Sequence, residues 1–335
     1  MKSVDQHLAD CRRLLPARAP VQVPTGEAVG LVLAEDVVAT ADSPAFATSA
    51  MDGYAVRVAD VPGDLRVVGE VAAGSVPDAA VSAGAAVRIM TGSPLPEGTE
   101  AVVRVEDTEE RDGVVTVHTA AAAGQSLRGV GDDVRTGDVV LPAGRRIGSA
   151  QLAALLTAGR REVLVHPRPR VAVLSTGDEL VAAGTDPGPA QLVDSNGPAL
   201  AVAAAAAGAE VVHVARASDD PAALVAALDA LPDVDLVVTS GGVSMGAYDV
   251  VKAALAPLGI TFEQVAVQPG KPQAWGRLRG GPAFLGLPGN PVSSLVCFEL
   301  FGRAVLGAER PVLGARLLDP VERSHAGIRQ LRRGR

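Results

Sequence analysis

Apolar residues recur along this chain in two rhythms. Between about residues 53 and 127 short apolar runs, Leu65–Val71, Ala85–Met90, Ala101–Val105 and Val114–Val117, are separated by Gly, Pro and Asp signals. Short strands at that spacing predict a small barrel or sandwich. From Arg170 onward strand-like runs alternate with helical patterns. The strands predicted are Arg170–Leu174, Val211–Val214, Val234–Val238, Ile260–Val267 and Ala283–Leu287. Helices are predicted from Pro198 to Ala207, from Asp220-Pro221 to Leu231, after Asp249, and, beyond the loop Pro288–Ser293, through Leu306. That alternation predicts a parallel sheet covered on both faces. Nearer the start, Ser3 can cap a helix whose apolar residues are Val4, Leu8, Cys11, Leu14 and Leu15. Ala28–Ala34 reads as a short helix, Val37–Ala39 as a strand, Gln151–Leu156 as a helix and Val163–Val165 as a strand. The basic, Pro-containing stretch His166–Arg170 marks a domain boundary.

Composition narrows the classes. The chain has 335 residues, enough for two or three domains by the usual prior. Aromatics are only 2% of it, so Val, Leu and Ala must fill the cores, and stacking platforms for single-stranded nucleic acid are disfavoured. A net charge of −8 speaks against a general nucleic-acid or anionic-membrane binder. The two cysteines, Cys11 and Cys297, are far apart, and the five histidines are scattered, so no thiolate or His metal site is expected. With no signal core and no apolar run long enough to span a bilayer, the expectation is a cytoplasmic protein without a membrane segment.

Candidate chemistry lies where strands end. Val234–Asp249, VDLVVTSGGVSMGAYD, runs from a buried strand through Gly241-Gly242 into a helix, the layout that presents backbone N–H groups to anions. Such turns also serve as plain connections. Three more strands end in STGDEL, PGKP and PGNPVS, and in an open parallel sheet all four would meet along the carboxyl rim. Lys271 suits an anion there, whereas Asp178, Glu179 and Asp249 would need a divalent cation between them and it. Neither a P-loop nor a dinucleotide fingerprint is present. Earlier in the chain, SPAFATSAMDGYAV presents Asp52-Gly53, read either as an ordinary Asp-Gly turn or as a carboxylate on a rigid loop. Thr91-Gly92-Ser93-Pro94 is a stiff loop with two hydroxyls, and Arg128 to Asp138 reads as a surface ion-pair network.

Together these stretches resemble one family. SAMDGYAVR, IMTGSPLP, GDDVRTGD, LSTGDEL, SGGVSMG, QPGKP and LPGNPVSSL, in that order, are similar to motifs of the molybdopterin molybdenumtransferases, which include bacterial molybdenum insertases and the E-domain of gephyrin. The resemblance implies a multidomain α/β protein. A split N-terminal domain (1–52 and 128–166) would carry an inserted β-rich domain (53–127). A doubly wound, mostly parallel molybdopterin-binding domain (167–308) would follow, and residues 309–335 would start a C-terminal β-barrel. It implies insertion of molybdenum from molybdate into adenylylated molybdopterin with release of AMP and with Mg²⁺. It also implies a homodimer whose site joins the α/β domain of one subunit to the inserted domain of the other. The molybdopterin adenylyltransferase would be a partner.

Carried over residue by residue, the resemblance gives catalytic roles to Asp52, Thr91, Asp133, Glu179 and Asp249, with Glu179 and Asp249 as metal ligands. It gives substrate binding to Asp178, Ser240, Gly241, Gly242, Ser244, Gly246, Lys271, Pro272, Pro288, Asn290 and Ser293. Many members carry Lys where this chain has Gln268 and Asp where it has Ala247. A barrel needs on the order of 70 residues, and only Val312–Arg335 follow Pro311. The expectation is therefore an incomplete barrel, and with it an alternative function as a non-catalytic molybdopterin-binding scaffold. The bare pattern alone would also admit another nucleotidyl or sugar-phosphate transferase.

Overall fold

The computed structural model describes Met1 to Arg332 apart from residues 219, 244–249, 312, 315 and 317–325. It divides into two compact units, Met1–Ala19 with His166–Arg335, and Pro20–Val165. The fold is mixed α/β and multidomain, as the alternating pattern predicted.

The first unit is built on a six-stranded sheet. Its strands are β1 (Arg170–Thr176), β2 (Glu210–Ala217), β3 (Leu236–Ser240), β4 (Ile260–Gln264), β5 (Pro272–Arg277) and β6 (Ala283–Leu287), in the order β2-β1-β3-β6-β5-β4. The first four in that order are parallel, and β5 runs antiparallel to both β6 and β4. It follows that β4 ends at the same rim as β1, β3 and β6.

Strand residues alternate between two cores, as the pleat requires. Val171, Val173, Leu236, Val238, Ala283 and Leu285 face one side, under α1 (Val4–Leu14), α2 (Asn196–Ala206) and the helix that begins as α5 (Pro291–Cys297). Leu174, Val237 and Phe284 face the other, under α3 (Pro221–Asp229) and α4 (Val250–Leu255). These strands are buried on both faces, so they read as unbroken apolar runs. Helix α1 carries the expected Ser3 cap, here within a capping box: Gln6 N donates to Ser3 Oγ at 3.2 Å. Although grouped with the N-terminal domain by its place in the chain, α1 buries Val4, Leu8, Cys11 and Leu14 in the α/β core.

Three local expectations change. Ile260–Val267 is not one strand: β4 stops at Gln264, and Val267–Gln268 pairs in parallel with Arg329–Gln330. Strand β5 was not foreseen, because PQAWGR shows no period-two alternation. Ala28–Ala34 is not a helix: Gly30 takes φ +84°, and Val32–Leu33 is a short strand after a 3-10 turn at Thr25–Glu27.

In the second unit a six-stranded sheet contains Gly53–Val56, Gly63–Val71, Ala85–Ile89, Ala101–Arg104, Thr108–Arg111 and Val114–Val117. The segments flanking it pair with each other, Val21–Pro24 with Glu162–His166 and Thr48–Ser49 with Leu127–Arg128. Their own core includes Ala28, Leu33, Val37, Ile147, Leu155 and Val163.

Candidate active site

The carboxyl rim of the α/β sheet draws four loops into contact in strand order. After β1, Thr176 Oγ1 donates to Ser240 O at 3.4 Å. Next to it Gly241 sits at φ +100°, where a Cβ would lie 2.6 Å from Thr176 Oγ1 and 2.7 Å from Thr176 O, so only glycine lets these two loops close. Gly241 N donates to Leu287 O at 3.0 Å, which joins the loop after β3 to that after β6. That N–H is therefore spent inside the fold. The loop after β4 closes the row: Gly270 lies against Cys297, and a Cβ there would sit 3.7 Å from Pro288 Cγ.

Buried polar groups stitch this rim together. Asn196 Nδ2 donates to Ser240 Oγ at 2.8 Å and to Gly289 O at 2.8 Å. Ser294 Oγ donates to Ser240 Oγ at 3.2 Å, and Ser240 Oγ donates to Pro288 O at 3.4 Å. Ser240 thus uses its full hydroxyl capacity within the protein, where it is buried. Asp194, also buried, accepts from Ser175 Oγ at 2.9 Å and from Gly197 N at 3.0 Å, which fixes the entry into α2.

The rim residues divide by exposure. Asp178, Glu179, Lys271, Gly289 and Asn290 are exposed, while Pro272 is half-buried and Ser293 and Pro288 are buried. Asn290 caps α5: its Oδ1 accepts from Ser293 N at 3.2 Å and from Ser293 Oγ at 3.3 Å. Ser244, Gly246, Ala247 and Asp249 lie outside the described residues. Among the described residues no group of three or more His, Cys, Asp or Glu side chains could hold a metal ion. Glu179 alone supplies a described carboxylate to the metal pair expected with Asp249.

Asp52, Thr91 and Asp133 belong to the second unit. Asp52 Oδ1 accepts from Thr91 Oγ1 at 2.6 Å and from Thr91 N at 2.7 Å. The Thr91 hydroxyl first, and its N–H second, hold the exposed Asp52 carboxyl below its usual range. The Asp-Gly turn is therefore a carboxylate fixed on a loop. Asp133 pairs with Arg128. The wider network expected from Arg128 to Asp138 resolves into that pair and two carboxylates turned to backbone: Gly129 N donates to Asp132, and Arg135 N to Asp138.

Sequence comparison decides the family. Residues 2–159 match the family described as MoeA N-terminal region (domain I and II), and residues 172–308 match the one described as Probable molybdopterin binding domain. Molybdopterin molybdenumtransferase 2 of Mycobacterium tuberculosis is 43% identical over 321 residues, covering 91% of this chain and 79% of that protein. The chain belongs to the molybdopterin molybdenumtransferase family. Molybdopterin molybdenumtransferase 1 of the same organism is 38% identical over 367 residues, with 100% of this chain and 86% of the relative covered. The crystal structure of the molybdopterin biosynthesis MoeA protein of Pyrococcus horikoshii superposes with a TM-score of 0.75 at 33% identity, over 92% of this chain and 81% of that one. Members of the molybdopterin molybdenumtransferase family are transferases, and membership gives this chain a role in molybdenum cofactor biosynthesis. No helix among the described residues is long and apolar enough to cross a membrane.

Proposed function

We propose that the chain inserts molybdenum from molybdate into adenylylated molybdopterin and releases AMP. The carrying observation is the row of loops on one rim, with Lys271 next to Gly270, which lies against Cys297, and Ser293 on the helix that follows β6. Lys271 brings a point positive charge to a tetrahedral dianion, and among the described residues no carboxylate pairs with it. Ser293 adds a hydroxyl that can turn from Asn290 to an oxyanion. The Gly241-Gly242 turn gives the pterin phosphate a close approach to backbone.

Glu179, with Asp249 outside the described residues, is the donor pair for Mg²⁺, a hard cation that takes carboxylate and phosphate oxygens. When bound, that ion would offset charge on the departing AMP. In this reading the Asp52–Thr91 pair of a second subunit completes the site, so the working form is a homodimer. The adenylyltransferase that makes the substrate is the expected partner.

The test is AMP release by the purified chain from adenylylated molybdopterin, with and without molybdate. Release that depends on molybdate supports the reading. Tight binding of the pterin with no release would overturn it in favour of a scaffold.

A further inference from the structure

Beneath the QPGKP turn lies a side chain that the reaction does not call for. Gln273, on β5, is 1% exposed. Its Nε2 donates to Gly270 O at 2.7 Å and contacts Cys297 Sγ at 3.1 Å. The Cys297 thiol approaches the same carbonyl at 3.7 Å. Reversing the amide would aim its oxygen at the Gly270 carbonyl oxygen, so the chemistry of the acceptor fixes its orientation. In that orientation Oε1 is buried with no donor among the described residues.

Such an orphan acceptor costs stability, and an apolar side chain of the same size would not incur the loss. The amide is thus poorly explained as a folding device. What it does accomplish is local. Gly270, at φ +100°, is pressed onto Cys297, and the next residue is Lys271. The other end of the turn is closed by Val265 N donating to Lys271 O at 2.8 Å. Cys297 lies four residues after Ser293 in the same helix, hence on the same face. The clamp on Gly270 therefore sets where Lys271 stands relative to the helix bearing Ser293.

We infer that Gln273 is a positioning residue whose buried amide, together with the Cys297 thiol, fixes the Gly270–Lys271 turn and so tunes the chain for its oxyanion substrate. This rests on the role of Lys271 proposed above. Burial pushes the Cys297 thiol up to about 12, so it stays a neutral S–H.

The test is Gln273→Met, close in volume and without the amide. The Michaelis constant for molybdate is expected to rise about fivefold to tenfold, the worth of a lost hydrogen bond. That for adenylylated molybdopterin should hold, and the melting temperature should stay level or rise. A fall in melting temperature with an unchanged constant for molybdate would make Gln273 structural and overturn the inference. If the parent chain itself releases no AMP, the proposed function fails, and hydrogen exchange still decides the brace. Faster exchange across residues 268–271 in Gln273→Met supports it; unchanged exchange refutes it. Should Gln273→Met not fold, Gln273→Asn, one methylene short of Gly270, carries the same expectation for the two Michaelis constants, with a lower melting temperature because its amide is then buried unpaired.

Discussion

Asn196 and Ser240 share a hydrogen bond of 2.8 Å that ties the start of α2 to the end of the central strand β3. Because the same Asn196 amide also holds Gly289 O at 2.8 Å, one side chain spans two of the four rim loops. It is this kind of internal tie, rather than a helix or a metal among the described residues, that gives the rim its shape.

Replacing Asn196 by Ala should therefore loosen the site more than it harms the fold. The expected loss of stability is about 1–2 kcal/mol, two hydrogen bonds of which that to Ser240 is partly buried. Turnover should fall further than that loss of folded protein accounts for. Urea unfolding beside a steady-state assay checks both.

The Asp52 carboxyl is expected to titrate below an ordinary aspartate because Thr91 donates to it twice. A depressed carboxyl favours the folded form above the unfolded value of 3.8, and that benefit disappears as the pH falls through the folded value. Thr91→Val removes the hydroxyl and should move the Asp52 titration up toward 3.8. Carboxyl-carbon NMR across the acid range gives the answer; no movement would mean the loop holds Asp52 in another way.

A second pH dependence comes from α1. His7 is fully buried, edge-on to Phe301 and Trp275, with Nδ1 3.3 Å from Glu263 Oε1. Lys2 also faces it, bridging Asp10 at 2.5 Å and Glu263 at 2.8 Å. Burial first of all lowers the His7 value from 6.5 to about 4, against the pull of Glu263. The unfolded chain thus binds a proton that the folded chain resists. Stability should be complete above pH 6.5 and should decline as the pH drops toward about 4. The loss is on the order of 2–3 kcal/mol. His7→Phe should flatten that limb, as read by melting temperature against pH.

How much of this was legible differs by residue. Val171, Val173, Leu236, Val238 and Leu285 announce the parallel sheet because burial on both faces leaves no polar position in the run. The loops rich in Gly, Pro and Ser then follow from where those strands end. The β4–β5 hairpin was hidden because Gln273, Trp275 and Gly276 lack alternation, and pairing with β6 overrides their local preference. Gln273 and Cys297 could not be singled out either. Their importance lies in the Gly270 carbonyl that both reach, Cys297 across 27 residues of chain, and no spacing rule encodes that contact. Asp194 and Asn196 stand just ahead of the helix predicted from Pro198, and the structure uses them to join strands and loops as well.

Everything proposed for the reaction depends on the rim acting as an oxyanion and pterin-phosphate site centred on Lys271. The most direct measurement is molybdate-dependent AMP release by the parent chain and by Lys271→Ala, titrated with molybdate at saturating adenylylated molybdopterin. The account predicts release by the parent and, in the variant, at least about a tenfold loss of kcat/KM for molybdate, as expected when a charged hydrogen bond is removed. An unchanged titration in Lys271→Ala, with the protein folded, would contradict it.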